Sequence, residues 1–119
     1  MEARVSDCIF CKIVAGDIPA NKLFEDDDVV AFHDIRPAAP VHLLIIPKAH
    51  IESMLDVRAE HAALMGKIMT VAADLARQQG LEEGYRTIVN TGRVGRQEVY
   101  HLHVHILGGP DVLPAMLKH

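Results

Sequence analysis

The stretch from Tyr100 to Leu107 limits the possible folds of this chain more than any other, because three histidines alternate in it with aliphatic residues. It reads YHLHVHIL, and the Gly-Gly-Pro sequence at 108–110 ends it. Strict alternation predicts a half-buried strand whose successive side chains point to opposite faces. We therefore expect His101, His103 and His105 on one face, about 6.5–7 Å apart, with the aliphatic side chains in a core. Three aligned imidazoles favour catalysis, with metal binding or a purely structural polar face as the alternatives.

Composition limits the classes of protein to which the chain can belong. Its 119 residues are half hydrophobic, which fits a single domain over residues 1–119 with its own core. A formal net charge of −4 gives no basic surface of the kind that nucleic-acid binding requires. The apolar runs are too short to cross a bilayer, and the start, MEARVSDCIF, lacks the pattern of a secretion signal. We therefore predict a cytoplasmic protein that binds neither nucleic acid nor a membrane.

Apolar periodicity and turn residues predict an α+β domain with a five-stranded, mainly antiparallel sheet. A short helix is expected over Cys8–Val14, capped by Asp7 and ended by Gly16, and a long helix over about Val57–Gln79, capped by Asp56, with Gly80 as its C′ residue. Three strands are expected between the helices, over Asn21–Glu25, Val29–Asp34 and Val41–Ile46. Two more strands are expected after the long helix, over Arg86–Asn90 and Tyr100–Leu107. Met65 and Met69 on the long helix are expected to pack in the core. The tail, residues 111–119, has no clear period and is expected to be loose or held by a partner.

Two cysteines with Cys-x-x-Cys spacing, Cys8 and Cys11, open the short helix. In a reducing compartment this spacing indicates metal binding or redox chemistry more than a structural disulfide. A thioredoxin-like role is disfavoured because no strand precedes the pair. The alternative is two reduced cysteines that pack as small apolar side chains.

The His-x-His-x-His run with its two following hydrophobic residues resembles the defining motif of the histidine triad (HIT) superfamily. Further stretches look like family positions in the same order along the chain: Ile9–Ile13, Ile18-Pro19, Ala31–Ile35, Pro37, Ala39–His42, Ile46–Lys48, Gly84–Arg86, Val89-Asn90 and Gly108-Gly109. The resemblance is strongest to the Hint branch of small nucleoside phosphoramidases, rather than to Fhit dinucleotide hydrolases or galactose-1-phosphate uridylyltransferases. It implies the HIT-like fold and a two-fold homodimer, with sheets joined edge to edge and long helices packed at the interface.

The resemblance also implies a catalytic set for cleaving purine nucleoside 5′-phosphoramidates, with aminoacyl-adenylates as related substrates. His103 would attack the α-phosphorus as a neutral imidazole and carry the nucleotidyl group in a covalent intermediate. His105 would donate a hydrogen bond to the phosphate, and His42 and Asn90 would complete the polar site. His101 is counted among the catalytic histidines as well.

Nucleotide binding is expected mainly from the first half of the chain. By resemblance, Asp34 accepts hydrogen bonds from the ribose, although a turn-forming role is its alternative. The apolar slot for the base, each member of which could equally be a core residue, would comprise Phe10, Ile13, Ile18, Phe32, Ile35 and Leu44. Gln97 and Glu98 are also expected at the nucleotide, and the backbone amides of the Gly95–Val99 loop are candidate phosphate donors.

Three departures from the family pattern concern the leaving group, the loop and the tail. Glu98 stands where many relatives carry a serine or threonine hydroxyl, and an ionised carboxylate cannot donate a proton and repels phosphate. Arg96 stands where glycine is usual. The tryptophan that is familiar in the tail is missing, since the chain contains no Trp.

Metal-carrying bacterial relatives suggest the remaining ligands for the two cysteines. By this resemblance, Cys8, Cys11, His50 and His101 would hold a structural zinc ion in a Cys2His2 site. Such a closed site has no open position for water, so no catalytic metal is expected.

Three other functions stay open at this point. One is a dinucleoside polyphosphate hydrolase, within the same superfamily. Another is a nucleotide-binding regulatory partner protein with incidental turnover. The third is a zinc-dependent hydrolase in which the triad itself supplies the metal ligands.

Overall fold

A computed structural model describes residues 7–117 and confirms the predicted fold class, an α+β domain with a five-stranded antiparallel sheet. The elements in chain order are helix α1 at Ile9–Ala15, strands β1 at Lys22–Glu25, β2 at Val29–His33 and β3 at Val41–Pro47, helix α2 at Ala62–Gln78, and strands β4 at Arg86–Ile88 and β5 at Val104–Gly108. Among the described residues, no helix is both long and apolar enough to cross a bilayer.

The strand order β1-β2-β3-β5-β4 places β3 at the centre of the sheet, and every pairing is antiparallel. Between β3 and β5, Leu44 pairs with His105 and His42 pairs with Leu107. Side chains of one strand alternate between faces, so His42 and His105 are diagonal neighbours on the same face. On the other side of β5, Ile88 pairs with His105. The register therefore places His42 and His105 next to each other at the middle of the sheet.

Both faces of the sheet are covered, which explains why β3 is apolar almost throughout. Leu43 and Ile45 face α2, whereas Leu44 and Ile46 face α1. The α2 side is the larger core and contains Val29, Ala31, Ile68, Val71, Ala72, Leu75, Val104 and Ile106. The α1 side contains Phe10, Ile13, Val30 and Phe32, together with Cys8. The histidine face defined by the register is the α1 side.

The strand predicted for Tyr100–Leu107 is shorter and later than expected, because β5 begins only at Val104. Ahead of it the Leu102 N–H donates to the carbonyl of Ile51 at 2.7 Å, outside the sheet ladder. His101 therefore lies outside β5, although its ring remains on the α1 side, with its centroid 5.9 Å from that of Phe10. The preceding strand is also shorter, since β4 ends at Ile88 and Asn90 follows it in a loop.

The long helix begins at Ala62 rather than Val57, and the predicted cap Asp56 does not start it. Two short 3-10 turns, at Met54–Asp56 and Ala59–His61, occupy the intervening residues. The first turn forms because the Ser53 hydroxyl accepts the backbone N–H of Leu55 at 3.1 Å. The end of the helix agrees better with the prediction, since Gly80 follows it with a left-handed φ of 78°.

Smaller corrections concern α1, the methionines and the tail. The side chain that caps α1 belongs to Cys8, not Asp7, because its sulfur accepts the Cys11 N–H at 3.3 Å. Met65 packs against the core as predicted, but Met69 is 42% exposed. The tail is mostly exposed and without helix or strand from residue 111 to residue 117. The last two residues of the tail lie outside the described residues. The first six residues of the chain, on which the secretion prediction partly depends, also lie outside them.

Candidate active site

Three imidazoles meet on the α1 side of the sheet. The ring centroids of His103 and His105 are 5.0 Å apart, and those of His42 and His105 are 5.2 Å apart. His42 and His103 are buried and His105 is half-buried. The structure therefore brings together three of the histidines predicted for catalysis.

The hydrogen bond of His103 fixes its neutral tautomer. Its Nδ1 lies 2.8 Å from the carbonyl oxygen of His101. A carbonyl oxygen can only accept, so Nδ1 carries the proton and donates it. Nε2 of the neutral ring then keeps its lone pair. This is the protonation state that a nucleophilic imidazole requires.

His42 and His105 form a second ordered pair. The Ala38 N–H donates to Nδ1 of His42 at 2.9 Å, so the proton of the neutral His42 ring is on Nε2. That Nε2 lies 2.9 Å from Nδ1 of His105 and donates to it. Neutral His105 consequently carries its own proton on Nε2. The site thus contains an imidazole lone pair on His103 and an imidazole N–H on the neighbouring His105.

Electrostatics keep this pair neutral near pH 7. Burial, reinforced by His103 and His42, lowers the pKa of His105 to about 4. Burial also lowers the pKa of His42, and the nearby Asp34 carboxylate opposes that shift. Desolvation disfavours a charged imidazole, which is the physical reason that dominates in both cases. The tautomers deduced from the hydrogen bonds therefore persist at neutral pH.

Asp34 makes two contacts with its carboxylate. Oδ1 accepts the backbone N–H of Arg36 at 2.8 Å, which is the turn-forming role considered as an alternative. Oδ2 lies 3.4 Å from Nε2 of His42. Since a carboxylate has more lone pairs than these contacts use, Oδ2 can still accept a hydroxyl group.

The predicted apolar slot is formed in part. Phe10, Ile13, Phe32 and Leu44 are buried in one cluster, and Ile18 packs against it. The Phe10 ring lies edge-to-face with the His103 ring, with centroids 5.1 Å apart. Ile35 lies apart from this cluster and is 90% exposed. Five of the six side chains therefore belong to one apolar cluster, and Phe10 brings that cluster into contact with His103.

The side chain of Gln97 is committed to the loop that precedes the triad. Its Oε1 accepts the N–H of Gly92 at 2.9 Å, and its Nε2 donates to the carbonyls of Glu52 and Val99 at 2.7 and 3.0 Å. The buried amide has thereby used both donor hydrogens. Gln97 acts in this geometry as an internal brace of the loop.

Several loop amides that were predicted to bind phosphate are also occupied. The N–H groups of Gly95, Arg96 and Gln97 donate to carbonyls of the preceding turn at 3.0–3.2 Å. Within residues 7–117, the amides of Glu98 and Val99 have no hydrogen-bond partner. The Glu98 side chain is exposed. The loop can thus offer these two amides, rather than all five, to an anion.

A second cluster lies beside the imidazoles and contains Cys8, Cys11, His50 and His101, whose ligand atoms are all within 4.8 Å of one another. Nδ1 of His101 is 3.4 Å from the sulfur of Cys8 and 3.5 Å from that of Cys11. Nδ1 of His50 is 3.1 Å from the Cys11 sulfur. We refer to these four residues as the thiol–imidazole cluster.

The donor chemistry of the thiol–imidazole cluster fits a zinc ion. His101 is fully buried, and its Nε2 donates to the carbonyl of Pro47 at 2.8 Å, so the Nδ1 lone pair faces the sulfurs. The buried Nε2 of His50 has no partner within the described part of the chain. Burial, followed by the contact with Cys8, raises the pKa of the Cys11 thiol to about 11, and a bound divalent cation reverses this effect. Two sulfurs and two imidazoles are a common structural zinc set.

The same hydrogen bonds correct the catalytic role predicted for His101. Both of its ring nitrogens are engaged away from His105, one by the Pro47 carbonyl and one by the sulfurs. Its contribution to the imidazole group is its main-chain carbonyl, which holds His103. Sequence patterns alone do not reveal this division of roles.

Asp34, His42 and His105 form another group with metal-ligand spacing. Their hydrogen bonds argue against a metal ion there, because Nε2 of His42 carries a proton as long as Nδ1 accepts from Ala38. A protonated ring nitrogen has no lone pair for a metal. The hypothesis of triad residues as catalytic zinc ligands is therefore disfavoured.

The matches to known proteins extend over most of the chain. A family model described as "Scavenger mRNA decapping enzyme C-term binding" matches residues 7–117. A purine nucleoside phosphoramidase of Escherichia coli (strain K12) is 51% identical over 114 residues, which cover 95% of each chain. A HIT family hydrolase from Legionella pneumophila Philadelphia 1 has a TM-score of 0.85 at 51% identity, covering 87% of this chain and 94% of that one. A zinc-bound histidine triad family protein from Mycobacterium smegmatis has a TM-score of 0.75 at 36% identity, covering 87% and 76%.

Proposed function

Because this chain belongs to the histidine triad (HIT) family and is a hydrolase of that family, we propose that it cleaves the P–N bond of purine nucleoside 5′-phosphoramidates. The observation that carries the proposal is the lone pair on Nε2 of His103 beside the N–H of His105. The name of the E. coli relative supports the choice of substrate class.

In the first step, Nε2 of His103 forms a bond to the α-phosphorus as the P–N bond to the leaving amine breaks. The departing nitrogen takes a proton from the solvent and leaves as a neutral amine. The His105 N–H donates to a phosphoryl oxygen, where negative charge develops. The His101 carbonyl accepts from Nδ1–H and thereby stabilises the positive charge on the substituted His103 ring.

In the second step, water attacks the same phosphorus and the bond between phosphorus and His103 breaks. The attacking water gives a proton to the solvent, which balances the proton taken by the amine, and the nucleoside monophosphate leaves as His103 returns to its neutral tautomer. Splitting the reaction into two displacements at one centre replaces a difficult attack by water with two easier steps. The amides of Glu98 and Val99 are free to bind a phosphate oxygen, whereas the Glu98 carboxylate is exposed and can turn away.

The sugar and base lie, in this proposal, against the first half of the chain. Oδ2 of Asp34 accepts a ribose hydroxyl, and the apolar cluster around Phe10 and Leu44 contacts the base. Ile35, which is exposed, covers the outer side of the base in this proposal. In this proposal Asn90, which follows β4 by two residues, contacts the reacting phosphate group.

We further propose a structural zinc ion at the thiol–imidazole cluster, held by Cys8, Cys11, His50 and His101. The clustered donor atoms support it, as does the zinc-bound M. smegmatis relative. A bound zinc ion here would tie α1 to the segment before β5, since its ligands come from both. Four protein ligands leave it no position for an attacking water.

The assembly that we propose is a homodimer. Within residues 7–117, strand β4 lies at the sheet edge and pairs only with β5, and Met69 on α2 exposes an apolar side chain. An edge strand is a template for pairing with a second chain, and burial of an exposed apolar side chain favours such an association. We place the protein in the cytoplasm, where two free cysteines stay reduced.

The test of the proposed function is a substrate panel followed by phosphorus NMR. Adenosine and guanosine 5′-phosphoramidates should release the nucleoside monophosphate faster than dinucleoside polyphosphates do. Faster cleavage of the dinucleotides would instead support the alternative hydrolase. Tight binding of nucleoside monophosphate without turnover of any substrate would support a regulatory partner protein.

A further inference from the structure

The two groups that hold the His103 ring both belong to segments anchored at the thiol–imidazole cluster. Its Nδ1–H donates to the main-chain carbonyl of His101, a cluster residue. Its ring lies edge-to-face against Phe10, which stands between the two cluster cysteines in α1. Phe10 contacts the His101 ring as well, with centroids 5.9 Å apart. The position of the nucleophile therefore depends on the cluster from two directions.

The sheet does not fix the His101 carbonyl, because β5 begins three residues later, at Val104. The side chain of His101 performs that task from a fully buried position, between the Pro47 carbonyl and the two sulfurs. The adjacent Leu102 N–H is held by the carbonyl of Ile51, the neighbour of His50. Both ties thus connect the segment before β5 to the part of the chain that carries His50.

Phe10 depends on the cluster for a different reason. Helix α1 has only seven residues, and a helix this short is not stable by itself in water. Cys8 caps it through a sulfur–amide hydrogen bond, and Cys11 sits in its first turn. Anchoring both sulfurs fixes the start of α1 and, with it, the ring that packs on His103.

We propose that metal occupancy of the thiol–imidazole cluster controls the reactivity of His103, by holding the His101 carbonyl and Phe10 where they enforce the nucleophilic tautomer. This inference rests on the proposed function for its consequence in catalysis. Loss of the metal frees Nδ1 of His101 and the start of α1, so the carbonyl no longer holds the Nδ1–H of His103. The proton can then move to Nε2, which removes the lone pair that attacks phosphorus.

The experiment compares zinc-loaded, chelated and zinc-reloaded protein labelled with ¹⁵N-histidine. The readouts are the ring nitrogen shifts of His103, the Kd for adenosine monophosphate from calorimetry, and kcat for the phosphoramidate. We expect the loaded protein to show a protonated Nδ1 and a bare Nε2. Chelation should mix the tautomers and lower kcat by about tenfold or more, while Kd should change less than about threefold. Reloading with zinc should restore the ring nitrogen shifts and kcat.

Two variants separate cluster loss from simple destabilisation. Cys11→Ser removes a cluster sulfur and should reproduce the chelated spectrum and rate. Val14→Ala trims the same helix where it packs on the core, keeps all four residues of the thiol–imidazole cluster, and should leave the His103 tautomer unchanged. Where chelation unfolds the chain, the spectra are recorded again in sucrose, which favours the folded state.

Each outcome decides between the possibilities. An unchanged His103 tautomer and rate after chelation overturn the inference, and so does protein that takes up no zinc at the cluster. A zinc-loaded enzyme that hydrolyses no nucleotide overturns the proposed function instead. In that case the tautomer spectra still show whether the cluster controls His103.

Discussion

Nε2 of His42 donates a hydrogen bond to Nδ1 of His105 over 2.9 Å, and this bond determines which nitrogen of His105 can reach a substrate. The direction of the bond is set by a main-chain group, the Ala38 N–H, which occupies the other nitrogen of His42. A backbone amide cannot change its role as a donor. The proton on the outer nitrogen of His105 is therefore specified by the fold.

The first prediction concerns acid pH. The folded-state pKa of His105 is lowered to about 4, below its ordinary value of 6.5, so the unfolded chain binds more protons between these values. Stability should therefore be highest above about pH 6.5 and fall as the pH drops towards about 4. Urea unfolding across this range measures the slope, and His105→Asn should reduce it. An equally steep slope in the variant would mean that other groups cause the loss of stability at acid pH.

The second prediction concerns the nucleophile. His103→Ala should lower kcat by about 10⁴-fold or more, because the group that forms the covalent bond is removed. The Kd for nucleoside monophosphate should change little, since the apolar cluster and Asp34 remain. His61→Ala, at the start of α2, is the matched control and should keep full turnover. Residual turnover of the His103 variant near the wild-type rate would exclude the assignment.

The third prediction concerns the backbone of the loop before the triad. Arg96 has a left-handed φ of 62°, a conformation that favours glycine, which is the residue that the family resemblance leads us to expect there. Arg96→Gly should be neutral or raise the free energy of unfolding by up to about 1 kcal/mol, as relief of strain is partly offset by the entropy of glycine. Gly95→Ala should lower it by about 2 kcal/mol or more, because the new Cβ would lie 2.4 Å from the Thr91 carbonyl oxygen.

A control for these loop variants exists in α2. Gly66 lies within that helix, and a Cβ added there would meet no atom within 4 Å apart from its chain neighbours and the backbone of the helix itself. Gly66→Ala should therefore stabilise the chain by about 0.5–1 kcal/mol through helix propensity alone. Destabilisation by Gly66→Ala and Gly95→Ala alike would mean that the close approach at Gly95 is not the cause.

The fourth prediction separates bracing from binding at Gln97. Replacement by Leu leaves the Gly92 N–H and the Glu52 carbonyl without their partner and should cost about 2–4 kcal/mol of folding free energy. A direct nucleotide contact would instead raise KM with stability preserved. Denaturation and steady-state kinetics on one preparation distinguish the two. Gln97→Glu is a sharper variant, since it can accept from Gly92 but cannot donate to Glu52.

The order of elements could be predicted from sequence because hydrophobic period and turn residues are local properties. The shared face of His42 and His105 also follows from strand pairing. The alternation alone does not separate His101 from the other two histidines, and only the family resemblance assigned it to the cysteines. The late start of β5 was not predicted, because the segment before it is held by a bond between Leu102 and Ile51, which are far apart in sequence. The tautomers depend on main-chain groups, such as the His101 carbonyl, and every residue carries such groups. The sequence therefore indicates which side chains are candidates for catalysis, but not which of their ring nitrogens carry the protons.

The fifth prediction assigns Asp34 a second role besides the ribose. Its Oδ2 lies 3.4 Å from Nε2 of His42, and its charge opposes the lowering of the pKa of that ring by burial. Asp34→Asn keeps an oxygen that can accept from Arg36, so the turn should survive while the charge is lost. We expect weaker nucleotide binding and a further lowering of the His42 pKa.

A comparison of ribose and 2′-deoxyribose phosphoramidates tests this role. The wild type should prefer the ribose substrate, and Asp34→Asn should reduce that preference, because the carboxylate that distinguishes the two sugars is gone. If Asp34 also acts through His42, the variant should lose kcat on the deoxy substrate too, where no 2′-hydroxyl is available to bind. If both proteins turn over the deoxy substrate equally, the role of Asp34 is restricted to sugar recognition. The direction of the hydrogen bond from His42 to His105 would then be set by the Ala38 amide alone.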